Sequence, residues 1–214
     1  MTHAFDKDFW ERRWRDGGAG SMGGNPPNPY LARETGGLTP GTALDAGCGG
    51  GAEAIWLAAR GWHVTAADIS SEALARAAAR AAASGAGGAG GAGERLRWVE
   101  ADLRVWSPDE RFDLVMTHYA HPAMPQLEFY DRIAGWVAPG GTLLIVGHLD
   151  IPGSTGHGHH PPAEASATAA AVTARLDGAA WEIVTAEEHH RTLTGRGDRA
   201  VPLHDVVVRA TRRR

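Results

Sequence analysis

The sequence predicts an α/β protein built on a doubly wound, Rossmann-like and mostly parallel sheet. Three observations carry this. Short apolar runs alternate with helix-length segments over the first two-thirds of the chain. A glycine-rich turn, Gly47-Cys48-Gly49-Gly50-Gly51-Ala52, lies between the first such run and the helical segment after it. Acids close three successive runs: Asp45 in "TALDAG", Asp68 in "HVTAAD" and Asp102 in "VEADL".

Residues 5–16 place Phe5, Phe9, Trp10 and Trp14 among charged neighbours, a short amphipathic helix. "GGAGSMGGNPPNPYL" reads as a Gly/Pro loop without regular structure. "TALDAG" is the first strand, and "GAEAIWLAARG" a helix stopped by Gly61. "HVTAAD" is the second strand, followed by the helix "SSEALARAAARAAA", opened by Ser70 or Ser71. "SGAGGAGGAG", residues 84–93, reads as a surface linker. "LRWVEAD" and "RFDLVMTH" are the third and fourth strands. Leu127, Tyr130, Ile133, Ala134 and Val137 recur at helical spacing over 126–137. "PGG" at 139–141 should break that helix and feed the fifth strand, "TLLIVGH". Then come a loop, "LDIPGSTGHGHHPP", and a helix, "AEASATAAAVTARL". Two strands, "WEIVTAEEHHRTL" and "LHDVVVRAT", joined around "TGRGD", suit an antiparallel edge.

At 214 residues, 43% hydrophobic and 21% charged, the chain suits one soluble globular domain. Its net charge of −4 offers no general attraction to nucleic acid or an anionic membrane. No apolar run approaches the length of a membrane span, and "MTHAFDKDFWERRW" lacks the apolar core of a signal peptide. The expectation is a cytoplasmic protein, monomer or homodimer. Cys48 is the only cysteine, excluding an intramolecular disulfide or a thiolate zinc cluster. Lys7 is the only lysine, excluding a Schiff-base or Walker lysine deeper in the chain.

The glycine turn fits G-x-G-x-x-G/A, which by itself leaves the ligand open. A dinucleotide would set its pyrophosphate on the helix N-terminus, beside the Asp45 carboxylate. Like charges a few Å apart cost on the order of 1–4 kcal/mol. S-adenosylmethionine has no phosphate, and its sulfonium and ammonium groups favour an acid there. Asp68, about 20 residues past the turn, can accept ribose hydroxyls from either ligand. Asp102 could accept the adenine amino group. Singly, Asp68 also reads as a helix N-terminal acid and Asp102 as a turn residue. Jointly, three acids at neighbouring strand ends face one cleft.

On these motifs the sequence resembles the class I S-adenosylmethionine-dependent methyltransferases. "LDAGCGGG", "TAADIS", "VEADL", "FDLVMTHYAH" and "VAPGGTLLIVGH" match the segments around the ends of their successive strands. The likeness is strong over 40–148 and looser through 210. "FWERRW", "NPPNPYL", "YAHPAMP" and "VGH" are most similar to the small bacterial branch that includes the tellurite-resistance-type enzymes. The resemblance implies a seven-stranded sheet with an antiparallel final strand. It divides the chain into an N-terminal helix and lid loop, 1–38, and the methyltransferase domain, 39–214. It implies a cofactor, S-adenosyl-L-methionine, held by Asp45, Gly47, Cys48, Gly49, Gly51, Asp68, Ile69, Ala101, Asp102, Leu103 and His118. Asn25, Asn28 and Tyr30 would close over it.

Methyl transfer needs a positioned acceptor, and a neutral acceptor also needs a base. The candidates are His118, Tyr119 and His121 after the fourth strand and His148 at the end of the fifth. Any of them could instead only shape the pocket. Trp10, Trp14, Tyr30, His121 and His148 are the candidate acceptor-binding residues; for Trp10 and Trp14 packing of their helix is the favoured reading. Trp56 and Trp62 read as core, and Trp106 could stack near adenine. "HGHH" at 157–160 raises metal binding, but a Gly/Pro-rich loop is a poor scaffold for four ligands, so no metal is expected. His189 and His190 read as exposed strand-end residues. The reading is a methyltransferase acting on the oxygen, nitrogen or chalcogen of a small molecule. The alternatives are an NAD(P)-dependent oxidoreductase and a non-catalytic S-adenosylmethionine-binding protein.

Overall fold

A computed structural model describes residues 5–16, 26–84, 92–149, 165–194 and 200–214. The elements are helix α1 (Lys7–Asp16), α2 (Pro29–Thr35), strand β1 (Thr42–Ala46), α3 (Ala52–Ala58), β2 (His63–Asp68) and α4 (Ser71–Ala83). A 3-10 turn (Ala92–Arg95), β3 (Leu96–Glu100), β4 (Phe112–His118), α5 (Gln126–Ala134) and β5 (Val137–Leu149) come next. The chain closes with β6 (Ser166–Ala167), α6 (Ala169–Thr173), β7 (Trp181–Thr194) and β8 (Ala200–Arg212).

The sheet order is β3-β2-β1-β4-β5-β8-β7, with the two-residue β6 paired beside the end of β5. Neighbours from β3 to β5 are parallel; β8 runs antiparallel to both β5 and β7. This is the expected doubly wound sheet with an antiparallel final strand, seven strands on the main path and β6 as an eighth. Because side chains alternate along a strand, both faces must be covered. Leu114, Met116, Leu144, Val146 and Val207 pack with Leu31, Leu57 and Trp62 on one face. Val115, Leu143, Ile145, Val206 and Val208 pack with Phe129 and Ile133 on the other.

Local chemistry sets the helix starts. Ser70 Oγ accepts from the Ala73 amide, making Ser70 the cap of α4. Gly61 takes φ +94 behind α3, as a glycine stop requires. The Asp6 carboxylate accepts from the Phe9 amide at the start of α1.

Four expectations are corrected. "NPYL" is not loop: Asn28 accepts from the Tyr30 amide, Pro29 occupies the first turn, and α2 buries Leu31 completely. The "PGG" segment does not separate helix from strand. α5 stops at Gly135, Val137 already pairs with Phe112, and 138–141 form a bulge opposite Asp113. A Cβ on Gly141 would lie 3.0 Å from the Phe112 and Asp113 carbonyl oxygens, so that bulge needs a glycine. The long helix read from "AEASATAAAVTARL" shrinks to α6, because Ser166 and Ala167 pair with β5 and Thr168 caps the short helix behind them. His189 and His190 lie inside β7, and His189 stacks on Tyr30 with centroids 5.0 Å apart. The "TGRGD" turn and most of the 84–93 linker lie outside the described residues. Among the described residues no helix is long and apolar enough to cross a membrane.

Candidate active site

A cavity of about 630 Å³ opens at the carboxyl ends of the parallel strands. It is where the strand order reverses, between β1 and β4. Trp10, Trp14, Asp45, Gly47, Cys48, Gly49, Asp68, Ile69, Ala101, Asp102, Leu103, His118, Tyr119, His121 and His148 all line it. Gly51 and Tyr30 are the two candidate residues that do not. Trp106 packs edge-on against Trp136, centroids 5.6 Å apart, and does not line the cavity. Trp62 is buried, whereas Trp56 is half-buried beneath the Arg60 guanidinium. Asn25 and the "HGHH" run lie outside the described residues.

The glycines serve the protein's own packing as well as any ligand. Gly47, Gly49 and Gly51 have φ of +83, +48 and +73, a region costly for other residues. A Cβ on Gly47 would sit 2.3 Å from that of Ala120, and one on Gly51 2.7 Å from the Trp98 ring. One on Gly49 would meet Trp14 of α1 at 3.0 Å. The turn is therefore clamped between β4's exit, β3 and α1.

The three acids are held differently. Asp45 is 1% exposed, and among the described residues its Oδ2 has no hydrogen-bond partner. Burial, then the neighbouring carboxylates of Glu53 and Asp68, push its pKa well above the usual range. Asp68 Oδ2 accepts from the Gly49 amide at 2.8 Å and Oδ1 from the Ser70 amide at 2.9 Å. Burial still raises its pKa. Asp102 lies two residues past β3, and Arg104 clasps its carboxylate through Nε and Nη2, which lowers its pKa. Cys48 is buried, and burial beside Asp68 and Asp45 pushes its thiol pKa up, so it is no nucleophile.

The histidines form a second cluster. Neither ring nitrogen of His118 has a partner among the described residues, and burial lowers its pKa. His121 stacks on His148, centroids 5.1 Å apart and planes 25° apart. His121 Nδ1 lies 3.3 Å from Gln126 Oε1, and burial lowers its pKa to about 4. Burial, then the neighbouring His121, lowers that of His148 to about 3. Both imidazoles are neutral and weakly basic at pH 7.

Behind this cluster lies a network that strand patterns did not reveal. Tyr119, in a left-handed conformation at φ +56, donates its hydroxyl to Asp205 Oδ1 at 2.7 Å. Tyr30 donates to Asp205 Oδ2 at 3.0 Å, and its own pKa is pushed up to about 12, chiefly by burial. Arg191 donates from Nε to Asp205 and from Nη2 to the Tyr119 hydroxyl. Asn28 Nδ2 reaches the same hydroxyl at 3.4 Å, and its amide donates to Glu53. Glu53, Arg191, Asp205 and Glu11 are absent from the sequence-derived set. Only pairing register could have placed Asp205 opposite His148.

α1 is fastened over the cavity. The Glu11 carboxylate, 9% exposed, accepts from the Ser71 amide at 2.8 Å, the Ser71 hydroxyl at 3.0 Å and the Ser70 hydroxyl at 3.2 Å. These donors open α4, whose exposed amides favour an anion. Trp10 Nε1 donates to the His121 carbonyl at 3.3 Å.

Residues 43–141 match the family model described as a methyltransferase domain. The chain is 29% identical over 143 residues to a probable thiol methyltransferase 2 of Arabidopsis thaliana, covering 64% of this chain and 60% of the relative. It is 36% identical over 132 residues to a trans-aconitate 2-methyltransferase of Streptomyces avermitilis, covering 58% and 44%. The matched segment thus spans about half the length of these relatives. Its fold is that of the magnesium protoporphyrin IX methyltransferase from Synechocystis PCC 6803, solved with S-adenosylmethionine bound. The TM-score is 0.62 at 17% identity over 96% of this chain and 94% of that one.

Proposed function

We propose that this chain, whose residues 43–141 match the model of the methyltransferase-domain family, moves a methyl group from S-adenosyl-L-methionine to a small-molecule acceptor by direct in-line displacement. The observation that carries this is the buried Oδ2 of Asp45 at the glycine turn, which has no hydrogen-bond partner among the described residues. A carboxylate there opposes a pyrophosphate and suits a cation, which disfavours the dinucleotide-dependent alternative.

When bound, the cofactor supplies a sulfonium-activated methyl group; the protein supplies position and exclusion of water. Asp45 would face the cofactor's positive groups, and Asp68, fixed by two backbone amides, would accept its ribose hydroxyls. Asp102 is engaged by Arg104, so Ala101 and Leu103 would flank the base while Asp102 offers its remaining lone pairs. His118, His121, Tyr119 and His148 would surround the transferring carbon. The weak basicity of the three histidines suits hydrogen bonding to an acceptor better than removal of its proton, and the Tyr119 hydroxyl is engaged by Asp205. α1 would act as a lid, lying over the glycine turn through Trp14. Relatives named for thiols and trans-aconitate point to small acceptors, as does the cavity's size.

The test is transfer of label from methyl-labelled S-adenosylmethionine to a panel of thiols, carboxylic acids, alcohols and amines. The expected result is stoichiometric S-adenosylhomocysteine with one methylated class. Tight cofactor binding without transfer to any of them would support the non-catalytic alternative.

A further inference from the structure

Resting on the methyltransferase reading, we propose that Arg191 is the acceptor-binding residue of the cavity and that the acceptor carries a carboxylate. Arg191 stands on β7, outside the motifs that mark the glycine turn and the three acids, yet its side chain lines the same cavity, with Leu203, Tyr119 and His148. Its side chain is 25% exposed, while the Asp205 carboxylate that orients it is wholly buried. An incoming molecule therefore meets the guanidinium, with its counter-ion sealed behind it.

The guanidinium plane is set from two sides. Nε donates to Asp205 and Nη2 to the Tyr119 hydroxyl, and that hydroxyl is itself fixed by donating to Asp205. Among the described residues these bonds leave Nη1 without an acceptor. A planar, pre-oriented guanidinium edge is the side-chain group best matched to a carboxylate. Partial burial strengthens such a bond relative to water.

The charge pattern of the cavity agrees. Asp45 and Asp68 lie at the ends of β1 and β2, where Arg13 of α1 and Arg80 of α4 also line the cavity, whereas Arg191 is the cation beyond β4 and β5, on the side of Tyr119 and His148. His121 and His148, between them, are neutral and do not compete for either charge. An amine acceptor would approach a like charge at Arg191. Trp10, Phe5 and the stacked imidazoles offer flat apolar surface for the body of an acid.

The experiment uses the full chain loaded with S-adenosylhomocysteine, titrated with benzoate, cinnamate and fumarate and with the matching amides, monitored by ligand-observed NMR. At least one acid should bind about tenfold or more tightly than its amide, as a charge-assisted bond requires. Arg191→Gln should abolish that preference. Arg191→Lys, which keeps the charge beside Asp205 but not the planar edge, should weaken acid binding about tenfold at unchanged S-adenosylhomocysteine affinity. Binding of none of the acids, equal binding of acid and amide, or a preference that survives both substitutions would overturn the proposal. Protein that does not load with S-adenosylhomocysteine instead refutes the methyltransferase reading.

Discussion

Tyr119 and Asp205 stand on segments separated by the whole of β5, yet the Tyr119 hydroxyl donates to Asp205 Oδ1 at 2.7 Å. This bond ties the exit of β4 to the antiparallel edge and holds Tyr119 in its left-handed conformation. Such a conformation is costly for a residue with a side chain and persists because its surroundings fix it. Tyr119→Phe should lower stability by about 1–2 kcal/mol, the cost of leaving a buried carboxylate short of a donor. Thermal melting checks this, and S-adenosylhomocysteine affinity should change less than about threefold, since the hydroxyl's partners are Asp205, Arg191 and Asn28 and not the acids of the glycine turn.

With Asp45 facing the cofactor's positive groups, as proposed, cofactor binding should be a proton-linked event. Its raised pKa means that the free protein holds a proton there over part of the acid range. A bound cation favours the ionised form, so binding should release a proton and tighten as pH rises through that range. Calorimetry of S-adenosylmethionine in buffers of differing ionisation enthalpy measures the release. Asp45→Asn should abolish it and weaken binding by about tenfold or more.

The stacked histidines should show in stability. Their folded pKa values, about 4 for His121 and about 3 for His148, lie below the unfolded value. Between those values and about pH 6.5 the unfolded chain binds more protons, so stability falls as pH drops through that window. His121→Asn should flatten the fall, seen in melting temperature against pH. The same substitution should depress turnover more than cofactor affinity, and the wild-type rate should show no inflection near pH 6.5, the ordinary histidine value.

Glu11 ties α1 to the start of α4. Glu11→Ala removes the acceptor from the Ser71 amide and from two hydroxyls. The expected result is faster proteolytic cleavage within α1 and S-adenosylhomocysteine affinity reduced several-fold, with the core melting close to wild type. Limited proteolysis with mass spectrometry of the fragments checks it.

The glycine turn and Asp45, Asp68 and Asp102 were legible because close backbone turns and strand-end acids are local patterns. α2 was hidden because Asn28 and Pro29, which open it, also look like loop residues. The bulge at 138–141 was hidden because its glycine answers to carbonyls on another strand. Arg191 lines the cavity and is oriented there by Asp205 only through β8's insertion between β5 and β7, a relation without a sequence period. The weak basicity of His121 and His148 was equally illegible, since it comes from burial.

On the proposed function, the cleft at the glycine turn takes a phosphate-free adenosyl cofactor in place of a dinucleotide. Isothermal titration of the full chain with S-adenosylhomocysteine and, separately, with NADH tests it most directly. The expected result is saturable one-to-one binding of S-adenosylhomocysteine, weakened about tenfold or more by Asp68→Ala, and no heat with NADH. Saturable NADH binding at the same Asp68-dependent site, without S-adenosylhomocysteine binding, would contradict it.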